Sequence, residues 1–164
     1  MNKEQPKDGV SMLHESRFFD MTFRGTSNDL SSVKIFTNKN SYEVEKQISF
    51  DAEYEQISSL EYFAGSVLSS IILALLEQSK KGDSIIEEIE GVLNLSLENP
   101  LTLLGVRGYD EEPFINKMTV TVYLYAELEG DDFSGFCNNA LKHSPVYNTL
   151  KRTMDFDVVF KKLV

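Results

Sequence analysis

The feature that most constrains this chain is one long apolar stripe. Leu60, Phe63, Ala64, Val67, Leu68, Ile71, Ile72, Leu75 and Leu76 recur at intervals of three and four residues. Side chains spaced this way fall on one face of an α-helix. The spacing predicts a helix from Ser59 to Lys80, with Ser59 suited to the N-cap and Gly82 to the stop. A second row, Ser66, Ser70 and Ala74, carries small side chains four residues apart. Another backbone can approach closely along such a row. The helix is therefore expected at the centre of the fold, covered on two sides.

Strand patterns flank it. Arg17–Arg24, Ser32–Thr37 and Tyr42–Phe50 predict an antiparallel meander, with Asn38-Lys39-Asn40 as a tight turn because Asn tolerates positive φ. After the helix, Ile85–Leu97 starts mixed and ends in alternation from Val92. Lys117–Glu127 sets Met118, Val120, Val122, Leu124 and Ala126 on one face, a clear strand. Asn99–Phe114 between them reads as a long connection. Asp131 or Asp132 is expected to cap a helix reaching His143, and Pro145 to open a short helix over Val146–Arg152. Met154–Leu163 closes the chain as a strand. The class is α+β, with residues 1–16 a flexible arm and 17–164 one domain.

Composition narrows the function. With 41% apolar and 26% charged residues, the chain has the balance of a soluble globular domain. A formal net charge of −10 leaves no basic surplus to displace counterions from nucleic-acid phosphates or to dock on anionic membrane. The N-terminal stretch Met1–Ser16 lacks the apolar core of a signal peptide, and Val67–Leu76, interrupted by Ser69 and Ser70, is too short to span a bilayer. The single cysteine, Cys137, can form no intrachain disulfide, which fits a reducing compartment. The expected location is the cytoplasm, without membrane or nucleic-acid partners.

Familiar catalytic and cofactor motifs are missing. Cys137 and His143 lack the paired spacing of a zinc site, and the acidic groups lack that of a calcium loop. Gly105-Val106-Arg107-Gly108 is not a phosphate loop, and no G-x-S-x-G elbow makes Ser70 a nucleophile. No cofactor and no metal are expected. Ser70 reads as a packing residue and Ser144 as a helix cap.

Two segments, taken with the order of elements, carry a resemblance. Ser58-Ser59-Leu60-Glu61-Tyr62-Phe63-Ala64-Gly65 resembles the "NPEEL..A" start of the central helix in the OsmC/Ohr family of osmotically inducible and organic-hydroperoxide-resistance proteins. His143-Ser144-Pro145-Val146-Tyr147-Asn148-Thr149-Leu150-Lys151 resembles that family's "GCPV...LK" segment. The resemblance runs from about residue 17 to the end. It implies an OsmC-like fold: antiparallel sheets wrapped around a long central helix, in an intertwined homodimer.

The same resemblance implies a thiol peroxidase. In the family a peroxidatic cysteine on the central helix is resolved by the cysteine of the "CPV" motif, while an Arg and a Glu hold the thiolate. Here the peroxidatic position falls at Ser70 and the resolving position at Ser144. The carboxylate position falls at Leu60, with Glu61 one step away, and Ser49–Ser59 contains no arginine. A cysteine thiol ionises near pH 8.5 and oxidises to a sulfenate, whereas a serine hydroxyl does neither. Oxygen for sulfur at both positions removes the reaction and its disulfide. Cys137 lies seven residues before Ser144, roughly 10 Å along a helix, too far to inherit the resolving role.

The resulting expectation is a divergent OsmC-like protein without peroxidase activity. Its ligand would be a small apolar or hydroperoxide-like molecule in a cleft near Leu60, Glu61, Ser70 and Ser144. The alternative is an organic hydroperoxide reductase, a peroxiredoxin-like activity in the oxidative stress response, using Cys137 or an external thiol. A third reading is a purely structural dimer.

Overall fold

Turn chemistry shapes the first part of the chain. The computed structural model describes residues 18–82 and 86–163, so the expected arm over 1–16 lies outside the described residues. The chain divides into two compact units, Met1–Ser59 and Leu60–Val164. In the first, β1 (Arg24–Thr26), β2 (Val33–Phe36) and β3 (Ser41–Val44) form an antiparallel sheet in that order. The Asn38-Lys39-Asn40 turn is closed by the Thr37 N–H donating to the Asn40 carbonyl at 2.8 Å. Between β1 and β2, Asp29 Oδ1 accepts from the N–H groups of Ser31 and Ser32, and Leu30 takes φ 60°.

The first strand differs from expectation. Residues 18–23 are aromatic and alternating enough to read as a strand, yet pairing begins only at Arg24. The register explains this: β2 offers four residues, and Phe36, its last, already faces Arg24. Likewise β3 ends at Val44, opposite Val33 at the start of β2.

The second unit holds α1 (Ser59–Lys80) from its second residue on, then β4 (Ile86–Glu98), α2 (Pro100–Leu103), β5 (Phe114–Ala126), α3 (Gly130–Lys142), α4 (Pro145–Leu150) and β6 (Asp155–Leu163). The sheet order is β4-β5-β6. The β4 and β5 strands form a long antiparallel hairpin, whereas β6 joins β5 in parallel, a departure from the antiparallel expectation. The chain between β5 and β6 carries both α3 and α4, long enough to cross over and re-enter in the same direction. One sheet face is apolar: Leu93, Val120 and Val158 share a row, as do Leu95, Met118 and Phe156. Against it lie Val67, Ile71 and Leu75 of α1 and Phe136, Cys137, Ala140 and Leu141 of α3, forming one core.

Close approach of α1 needs a glycine. A Cβ on Gly91 in β4 would sit 2.8 Å from Leu68 Cδ1 and 3.0 Å from Ile72 Cδ1. The full helix is long and apolar enough to cross a membrane by length and composition, which the shorter run Val67–Leu76 did not suggest. Five of its residues, Val67, Ile71, Ala74, Leu75 and Ser79, are buried. Two smaller elements also differ from expectation. The N-cap of α3 is Glu129, in extended conformation, with Asp131 and Asp132 inside the first turn. There their negative charge favours the positive end of the helix dipole. The connection after β4 contains α2, begun by Asn99 in the left-handed region and Pro100 at N1.

Candidate functional site

The site grows out of helical phase. Ser66, Ser70, Leu73, Ala74 and Glu77 sit three and four residues apart on α1 and so share a stripe. That stripe faces the junction of α3 and α4, where His143, Ser144 and Pro145 complete an open cleft of 260 Å³. Pro145 is the first residue of α4, a position where its missing N–H is no loss. Ser144, 1% exposed, is the N-cap of α4, and its Oγ accepts from the Tyr147 N–H at 3.2 Å.

At the back of the cleft two hydroxyls meet. Ser70 Oγ lies 3.1 Å from Ser144 Oγ. One lone pair of Ser144 is engaged by the backbone, and one proton of the pair is used between the two oxygens. One O–H and the remaining lone pairs stay available to a ligand or water. His143 stands beside them, its Nδ1 2.8 Å from the Asn139 carbonyl. A carbonyl only accepts, so Nδ1 carries a proton and donates it to Asn139.

Other residues named from sequence lie elsewhere. Leu60 and Glu61 occupy the first turn of α1, about 15 Å along the axis from Ser70, and are not among the cleft's lining. Cys137 is 1% exposed within the core on α3. Burial pushes its thiol from 9.0 up to about 12. Charge there is opposed by desolvation, the reverse of what a reactive cysteine needs. Among the described residues no group of His, Cys, Asp and Glu is arranged to hold a metal. Glu77 and Leu73 were missed by the sequence reading. A three-residue interval beyond Ala74, the other spacing that keeps to one helix face, reaches Glu77.

No protein-family model matches the chain, and no curated protein matches it in sequence. Solved structures do. An OsmC-like protein from Mycoplasma pneumoniae superimposes with a TM-score of 0.69 at 10% identity, over 89% of this chain and 99% of that one. This chain has the OsmC-like fold.

Other OsmC-like neighbours agree. An organic hydroperoxide resistance protein from Elizabethkingia anophelis gives a TM-score of 0.65 at 9% identity, covering 89% of this chain and 98% of its own. The organic hydroperoxide resistance protein OhrB of Bacillus subtilis gives 0.57 at 16% identity, covering 87% and 98%. Identities this low speak for the fold. In this OsmC-like chain the chemistry must be read from its own side chains, and at the α1–α4 contact those are two hydroxyls.

Proposed function

We propose that this chain is a homodimeric, cytoplasmic OsmC-like protein that has lost thiol peroxidase chemistry and binds small amphipathic molecules in the Ser70–Ser144 cleft. One observation carries the reading. The two positions that the family resemblance assigns to paired cysteines are serines 3.1 Å apart, at the base of an open cleft. A hydroxyl pair can hydrogen-bond a polar head, but it can neither become a sulfenate nor close a disulfide. Leu73 and Pro145 supply apolar surface beside it.

The dimer is supported by the surface of α1. Tyr62 and Phe63 are exposed on it, although the composition of the helix suits an interior. A second copy would remove that surface from water. The rival reading, peroxide reduction by Cys137, is disfavoured because the thiol is buried, neutral and the only cysteine in the chain.

Incubation with tert-butyl hydroperoxide and dithiothreitol tests the proposal. No turnover above the protein-free rate is expected, and sedimentation should give twice the chain mass. Turnover that disappears in Cys137→Ser would overturn the reading. So would a panel of small amphiphiles none of which perturbs the NMR resonances of Ser70 and Ser144.

A further inference from the structure

The charge layout of the cleft narrows its ligand further, on the premise that the cleft is a binding site. Among the described residues lining it, Glu77 is the one carboxylate, and neither a lysine nor an arginine is present. The other polar groups are serine hydroxyls and the His143 imidazole. With Nδ1–H committed to the Asn139 carbonyl, His143 has only Nε2 left to meet a ligand. An anionic head would meet the like charge of Glu77, with no lysine or arginine among the described lining to hold it. The whole chain, at a net charge of −10, adds to that bias.

Spacing points the same way. Ser70 and Glu77 are seven residues apart on α1, roughly 10 Å along the axis. Both residues line the same cleft. Leu73 stands between them on the same stripe. An apolar wall beside a carboxylate matches a short alkyl chain with a cationic end.

We infer that the cleft selects cationic amphipaths, alkylamines above all, over alcohols and carboxylates of the same length. The ammonium pairs with Glu77, and the alkyl chain lies against Leu73.

Titrations of the full chain with n-hexylamine, hexanol and hexanoate, followed by NMR, test this directly. Hexylamine should bind about two- to fivefold more tightly than either competitor, the range of an exposed ion pair. The preference should weaken with added salt and vanish in Glu77→Gln, an exposed position where substitution leaves the fold intact. Equal or tighter binding of hexanol or hexanoate, with the same cleft resonances moving, overturns this inference and leaves the binding-site reading standing. If none of the three probes moves the resonances of Ser70, Ser144 or Glu77, both fall together.

Discussion

Ser70 Oγ on α1 and Ser144 Oγ at the N-cap of α4 lie 3.1 Å apart, joining two elements separated by most of the second unit. The contact is a hydrogen bond in this chain.

This relationship predicts that Ser70→Cys/Ser144→Cys should form an intrachain disulfide under mild oxidation. A disulfide needs Cβ atoms about 3.5–4.5 Å apart, and oxygens already in hydrogen-bond contact bring the two side chains close to that range. Mass spectrometry should show the loss of two hydrogens, and thiol titration of the native protein should find no accessible thiol. Neither single variant should behave this way. A double variant that stays reduced would mean that α1 and α4 hold the two side chains apart.

Cys137 should resist alkylation in the folded protein. Its ordinary value of 9.0 is raised to about 12 by burial, so thiolate is scarce near neutral pH. Iodoacetamide should label it slowly in buffer and rapidly in guanidinium chloride. The linkage sign follows from the direction of the shift. The unfolded chain releases the thiol proton near its ordinary value while the folded chain keeps it until about 12. The thiol's contribution is therefore intact below 9 and is lost progressively as pH rises toward 12. Cys137→Ala should flatten the alkaline arm of a stability–pH profile measured by urea unfolding.

Asp29 titrates in the opposite sense. The N–H groups of Ser31 and Ser32 hold its carboxyl down from 3.8 to about 2. The anion supports the β1–β2 turn above the unfolded value, and that support fades as pH falls through about 2. Carbon-detected NMR titration should place its midpoint clearly below the ordinary 3.8. Asp29→Asn keeps an acceptor and should hold the turn better than Asp29→Ala.

How much of this was readable beforehand depended on whether the cause was local. The bounds of α1 follow from a repeat that no tertiary contact has to supply, and Ser59–Lys80 is both the expected and the observed helix. The start of β4 was obscured because Glu87, Glu88 and Glu90 do not look like strand residues. Pairing of Glu88 and Glu90 with Tyr125 and Tyr123 across the hairpin makes them so. The short α2 depends on Asn99 Nδ2 and Thr102 Oγ1 donating to the carbonyls of Glu112 and Glu111, partners that no window around Pro100 contains. In the cleft, Ser70 and Ser144 were placed by their likeness to a family pattern. Glu77 and His143 enter only because α1 runs past the α3–α4 junction.

Gly91 and Gly135 should respond oppositely to an added side chain. Gly91 faces Leu68 and Ile72 at 2.8 and 3.0 Å from an added Cβ, so a branched side chain must push α1 off the sheet. Gly91→Val is expected to lower stability by about 1–3 kcal/mol through overpacking. Gly135 lies in α3 with open space where its Cβ would be. Gly135→Ala should raise stability by roughly 0.5–1 kcal/mol by restricting the unfolded chain and favouring the helix. Urea midpoints for both variants check the pair, and a Gly91→Val protein as stable as the parent would refute the close approach of α1 to β4.

Ser144 should matter more to stability than Ser70, although the two share one hydrogen bond. Ser144 is buried, caps α4 through Tyr147 and faces Ser70. Its removal frees the Tyr147 N–H and leaves the Ser70 hydroxyl without this partner. Loss of an N-cap alone costs about 0.5–2 kcal/mol. Ser70 is only half-buried, and in Ser70→Ala the Ser144 oxygen still accepts from Tyr147. Ser144→Ala is therefore expected to destabilise by about 1–2 kcal/mol. Ser70→Ala should cost less than about 1 kcal/mol while weakening any ligand held by the pair. Chemical unfolding of both, with amide exchange at Tyr147, separates the roles: exchange should accelerate in Ser144→Ala and stay slow in Ser70→Ala.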